Sequence, residues 1–196
     1  MARRLTPEAR RAEIIDATQA AIASDGYRGL SLREIARRCG MSAPGLMHYF
    51  PDMPTLLEAV LDHRDEVDLA EILDDGGFDV PLLEMLDAAR GFYAAHPDEA
   101  RSFDALEAEA LDPGHPAHEY FARRSERTFD LMVPQIEREF EDGDEVARIL
   151  RLLLDGVRLK RLRDPEVNWT DTDDDWRVMR KLLDGFPRRG IESDGD

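Results

Sequence analysis

Residues 31–50, SLREIARRCGMSAPGLMHYF, constrain this chain more than any other stretch. They carry the start and stop signals of two short helices around a tight turn. Ser31 is placed to cap the first helix, and Glu34 three residues later completes a capping box. Leu32, Ile35 and Ala36 recur at helical spacing and give that helix an apolar face. Gly40 stands where the chain must reverse, and glycine tolerates the positive φ such a turn needs. Met41 fills the angle between the helices. Ser42 caps the second helix, with Ala43 and Pro44 in its first turn, where proline's missing N–H costs nothing. Leu46 and Phe50, four apart, face inward. A helix-turn-helix of this kind reads DNA with the N-terminal part of its second helix.

The flanks extend the pattern. Thr6-Pro7-Glu8 is a helix start: a cap, a proline at the first position and an acid in the first turn. Ile14, Ile15, Thr18, Ala21 and Ile22 carry an inward stripe to about Ser24, and Asp25-Gly26 ends it, with Tyr27 folding back. Downstream, Pro51-Asp52-Met53-Pro54 breaks the chain before a long helix expected from Thr55. Over roughly residues 8–60 the sequence resembles the TetR-family repressors, through Gly26-Tyr27, Ser31, Ile35-Ala36, Gly40-Met41-Ser42, Leu46 and Phe50. The resemblance implies an all-α fold: a three-helix DNA-binding head with a helix-turn-helix, followed by a helical ligand-binding and dimerisation domain. The expected boundaries are 1–53 for the head, 54–188 for the body and 189–196 for a frayed tail. The DNA-contacting residues it implies are Arg33, Ser42, Ala43, Pro44, Gly45, Met47, His48 and Tyr49. Many relatives carry Tyr at the position of Met47 and Lys at that of Met53; both departures remove polar phosphate contacts.

Charge divides the chain. The total is −17, yet residues 1–50 hold eight arginines against five acids, a net of +3, which leaves −20 for the rest. Such asymmetry marks nucleic-acid binders, and an acidic body orients a basic end toward DNA. Arg3 and Arg4 are expected to form a short basic arm. Cys39 is the only cysteine, so no intrachain disulfide forms, in keeping with a cytoplasmic protein. The basic N-terminus has no apolar run of the secretory kind, and no stretch is long and apolar enough to span a membrane.

Beyond Thr55 the sequence reads as helices between Pro and Gly breaks: to Leu73, then 81–95, 98–111, 116–140 with Pro134 as a kink, 145–163 and 173–186. The last two are apolar over more than one stripe, so they must bury a second face. Leu150, Leu154, Val157, Trp176, Met179 and Leu183 are the expected dimer contacts, and Leu152, Leu159 and Leu162 spread the apolar surface further. Aromatics gather on the middle helices. Phe92, Phe103, Leu106, Glu107, Phe121 and Arg124 are the expected ligand-pocket residues, with Glu107 able to meet a cationic ligand or Arg124.

Enzyme readings find little support. There is no phosphate-binding glycine loop, no Cys-x-x-Cys and no nucleophile elbow. His115 and His118 read as surface histidines at a helix start rather than a metal site, and no cofactor is expected. The sequence therefore points to a ligand-responsive regulator, a repressor, that holds a palindromic DNA operator as a homodimer and is released by a small molecule. The alternative is a helical protein-interaction adapter whose helix-turn-helix has degenerated. The helix from Thr55 to Leu73 is expected to be the covalent route from pocket to head.

Overall fold

The computed structural model describes residues 5–73, 79–164 and 173–189. Among them the chain forms helices α1 (Pro7–Asp25), α2 (Leu32–Arg38), α3 (Ala43–Met47), α4 (Met53–Leu73), α5 (Leu82–Ala95), α6 (Pro97–Glu109), α7 (His118–Asp130), α8 (Val133–Glu139), α9 (Gly143–Arg163) and α10 (Asp173–Asp184). A 3-10 turn spans Tyr27–Gly29. The fold is all-α, as the sequence indicates. The Arg3–Arg4 arm, the Asp74–Gly77 break, the acidic segment at 165–172 and the tail at 190–196 lie outside the described residues.

Local chemistry sets the head's boundaries. Thr6 Oγ1 accepts the Ala9 N–H at 3.2 Å and starts α1. Gly26, at φ 73°, ends it, with its N–H on the Ile22 carbonyl at 2.9 Å. Thr18 joins the buried face of α1 because its hydroxyl donates to the Ile14 carbonyl at 2.6 Å, which leaves its methyl to pack. α4 starts at Met53, two residues before the expected Thr55. Asp52 Oδ1 accepts the Thr55 N–H at 2.8 Å, so the Pro51–Pro54 break is itself the cap and first turn of α4. Pro134 likewise sits in the first turn of α8, and the expected 116–140 helix divides at Leu131 and Met132 into α7 and α8.

The chain divides into two compact units. One comprises Met1–Leu69 and Ala105–Phe121; the other comprises Ala70–Asp104 and Ala122–Asp196. The first is built on a core of Ile14, Ile15, Ile35, Leu46, Phe50, Leu56 and Val60. It also holds the turn between α6 and α7. There the His115 ring meets Tyr27 edge-on at 5.4 Å, and Arg28 pairs with Glu109 at 3.2 Å. The second unit closes on Leu82, Leu86, Ile136, Phe140, Val146, Leu150, Trp176, Met179 and Leu183. Its end is tied down: Glu141 N–H bonds the Pro187 carbonyl at 3.0 Å, and Arg189 N–H the Glu139 carbonyl at 2.9 Å. Arg189, expected as the start of the frayed tail, is thus held. The chain passes between units inside α4, α6 and α7, so α4 is not the single covalent route expected from the sequence.

Candidate nucleic-acid interface

The helix-turn-helix assembles from its caps. Ser31 Oγ accepts the Glu34 N–H at 3.3 Å, which starts α2. The expected capping box is only half formed. The Glu34 carboxylate does not turn back toward Ser31; it takes Arg37 through Nε at 3.0 Å and Nη2 at 2.7 Å, and Arg38 through Nε at 3.0 Å. Those bonds hold the Glu34 carboxyl at about 2, well below its ordinary range, with Arg37 the larger cause and Arg38 the next. Past Arg38, Cys39 packs into the core and Gly40 reverses the chain at φ 62°, where an L side chain would be strained. Burial pushes the Cys39 thiol up, and Glu13 adds to it, so a reactive thiolate is disfavoured.

α3 is capped by Ser42, whose Oγ accepts the Gly45 N–H at 3.2 Å. The hydroxyl proton of Ser42 stays free to donate outward. A β-carbon at Gly45 would sit 3.1 Å from that Oγ, so glycine keeps room for the cap. The helix is shorter than the Leu46-to-Phe50 repeat suggests, ending at Met47. Phe50 precedes Pro51, and a residue before proline is driven out of the helical region. The chain therefore tightens into a turn, with the N–H groups of Tyr49 and Phe50 both on the Leu46 carbonyl, at 2.8 and 3.0 Å. Leu46 and Phe50 still point inward and are fully buried.

Arg33, Ser42, Pro44, Met47 and His48 are exposed, while Ala43, Gly45 and Tyr49 are half-buried. All eight residues implied for DNA contact lie at the start of α2, on α3 or in the turn after it. Met53, where relatives carry Lys, packs against the head core instead. The head's basic charge is mostly engaged locally. Arg10 pairs with Glu13, Arg28 with Glu109, and Arg38 with both Glu34 and Asp25. Arg11 stacks over the Phe50 ring at 4.9 Å. Arg33 has no carboxylate partner among the described residues.

The residues expected to line a ligand pocket fall in both units. In the second, Phe92 is half-buried beside the Tyr93 and His96 rings, and buried Arg124 stacks over buried Phe103 at 4.5 Å. In the first, Leu106 and Phe121 are buried and Glu107 is half-buried. Two grooves of the second unit contain none of the six. One of about 540 Å³ runs along Asp87, Arg90, Trp176 and Arg180, and one of about 610 Å³ along Arg123, Glu126, Arg127 and Leu131. Two buried ion pairs escaped the sequence reading: Arg64 with Asp68 at 3.3 Å in the first unit, and Arg161 with Asp104 at 2.9 Å in the second. Arg64 and Asp68 continue the buried stripe of Leu57, Val60 and Leu61, so charge at inward positions was the available signal. His115 Nδ1 accepts the Ala117 N–H at 3.1 Å, and His118 Nδ1 lies 2.8 Å from the Ala110 carbonyl. Among the described residues no group of three His, Cys, Asp or Glu is placed to hold a metal ion.

The expected dimer contacts need correction. Leu150, Trp176, Met179 and Leu183 are covered within one chain, in the core of the second unit. Trp176 Nε1 is also satisfied there, donating to Asp87 Oδ1 at 2.8 Å. Leu154 and Val157 are half-buried. The apolar residues left in solvent on these helices are Leu152 and Leu159 on α9 and Val178 and Leu182 on α10. Among the described residues no helix is long and apolar enough to cross a membrane.

Comparison with known proteins supports the reading of the head. A model of the bacterial regulatory proteins of the tetR family matches residues 14–60. The HTH-type transcriptional regulator BetI of Paraburkholderia phymatum is 43% identical over 56 residues, which is 29% of this chain and 29% of that protein. The match to such curated relatives therefore covers under a third of their length. Among solved structures, a TetR transcription regulator from Haloarcula marismortui superposes with a TM-score of 0.78, at 20% identity, covering 93% of this chain and 100% of that one. A protein from Saccharomonospora viridis, described as a transcriptional regulator and solved in complex with choline, gives a TM-score of 0.71 at 18% identity, covering 94% and 100%. At such identities these structures establish the fold.

Proposed function

This chain belongs to the TetR family of bacterial regulatory proteins, and we propose that it is a ligand-responsive transcriptional repressor that holds a palindromic operator as a homodimer. The observation that carries this reading is the helix-turn-helix surface: Arg33 lies unengaged by carboxylates at the start of α2, close in sequence to a capped α3 whose Pro44, Met47 and His48 face solvent. In this reading Arg33 reaches a base edge or phosphate, Ser42 donates to phosphate, Ala43 and Pro44 touch thymine methyls, and His48 and Tyr49 donate to the backbone. Two copies would set two such surfaces one helical turn of DNA apart, or a multiple of it.

An effector would act by binding better to the dimer whose heads are misspaced for DNA, since only differential affinity shifts such an equilibrium. The aromatic residues Phe92, Phe103 and Phe121 and the buried pairs Arg64–Asp68 and Asp104–Arg161 are the candidates for recognising it. The choline in the Saccharomonospora protein makes a quaternary ammonium a sensible first probe.

Replacing Arg33 with alanine is expected to weaken operator binding by about 1–3 kcal/mol if the guanidinium reads a base. Binding to unrelated duplexes would then change little. If it only neutralises a phosphate, all sequences should weaken together and the salt slope should fall by about 0.9. Fluorescence anisotropy against the DNA upstream of this chain's own gene, at several salt concentrations, separates the two. Unchanged affinity would remove Arg33 from the interface. The adapter alternative draws on exposed Met47 and core-packed Met53, which supply no phosphate contact. Wild-type protein without salt-dependent DNA binding would favour it.

A further inference from the structure

Glu34 stands at the centre of a small charge cluster beside the residue that most plainly faces DNA. Arg33 and Arg37 are four apart on α2 and share a face. Arg37 is largely solvent-exposed, with 73% of its side-chain surface open, yet its guanidinium fork is closed by both oxygens of Glu34. Arg38 shares the same carboxylate and reaches Asp25 at the end of α1 with its other nitrogen. Three arginines thus crowd seven residues of helix, and one acid engages two of them.

Resting on the DNA-binding reading above, we propose that Glu34 sets the balance between specific and non-specific DNA binding, by competing with phosphate for Arg37 and Arg38. Exposed ion pairs are weak and screened by salt, so the acid does not lock these cations; it lowers the share of them that phosphates can claim. Phosphate contacts add affinity for every sequence alike, whereas base contacts add it for one. An acid that engages two cations beside Arg33 therefore lowers background binding and leaves discrimination to α3 and Arg33. The Ser31 cap does not depend on this role, since it uses the Glu34 backbone N–H. The side chain is free to serve the arginines.

Glu34→Gln keeps the shape of the side chain and removes its charge. The test uses full-length wild type, E34Q, R37A and E34Q/R37A, with Glu145→Gln on α9 as a control for net charge alone. Each is titrated with a random-sequence duplex and with the upstream duplex across a salt series, and circular dichroism checks the fold. E34Q should steepen the salt slope by about 0.9 for each cation recovered, and raise affinity for random DNA by about tenfold per contact at 0.1 M salt. The ratio of operator to random affinity should fall. R37A should cost little in the wild type and clearly more in the E34Q background, the sign of a cation released by the first substitution. An E34Q slope equal to that of wild type, a gain matched by E145Q, or equal R37A costs in both backgrounds would each overturn the proposal while leaving DNA binding intact. Failure of every variant to bind either duplex would overturn the DNA-binding reading as well.

Discussion

Replacing Phe50 with alanine is expected to destabilise the DNA-binding head by about 3–5 kcal/mol, the usual cost of deleting a buried aromatic ring. The ring is 1% exposed, packs in the core that includes Leu46 and Leu56, and carries the Arg11 guanidinium on its face. It also sits at the junction between α3 and the Asp52 cap of α4, so a cavity there loosens both. A loss of this size is a large fraction of the stability of a small domain. Denaturant titration should show a lower midpoint for F50A, with operator binding lost at temperatures where wild type still binds. Phe50→Leu, which keeps most of the volume, should lose far less. An unchanged midpoint in F50A would mean the ring is not the keystone its burial indicates.

The head was legible in the sequence because its boundaries are decided locally. A threonine or serine cap, a proline in the first turn and a glycine at positive φ act within a few residues, and Thr6, Ser31, Ser42, Gly26 and Gly40 each do what their chemistry requires. Where the sequence reading failed, a second partner had intervened. The Glu34 side chain fits a capping box, but Arg37 and Arg38 offer charged donors that outcompete a backbone amide. The Leu46–Phe50 spacing fits a longer helix, but Pro51 acts on Phe50 from the far side.

The second unit was less legible for a different reason. α9 and α10 are apolar on more than one face, and periodicity reveals that two faces exist without saying which one the chain buries itself. Leu150, Trp176, Met179 and Leu183 went to the core, while Leu152, Leu159, Val178 and Leu182 were left outside. That Ala105–Phe121 packs in the same unit as the head had no local signal either. It depends on contacts such as Tyr27 with His115 and Tyr120 with Asp65, between residues 55 or more positions apart.

Those four exposed residues carry the second large expectation, that Leu152→Glu turns a homodimer into monomers. Leu152 and Leu159 are two helical turns apart on α9, and Val178 and Leu182 one turn apart on α10, which packs against α9. A leucine that is 73% exposed gains about 1.5–3 kcal/mol when covered, and a two-fold interface counts every such residue twice. A glutamate in the same place would bury an unpaired charge on each side, at a cost of about 3–5 kcal/mol. Sedimentation velocity at micromolar concentration should find wild type as a dimer and L152E as a folded monomer. Met179→Ala is the matched control: it deletes core volume, so it should lower the denaturation midpoint and leave the dimer in place. Because a palindromic operator engages two heads at once, L152E should also lose about 10²–10⁴-fold in operator affinity, the share due to linkage rather than contact. Its affinity for a single half-site should stay close to that of wild type. A dimeric L152E, or a monomeric wild type, would move the interface away from this face, and with it the account of how two heads come to be spaced along DNA.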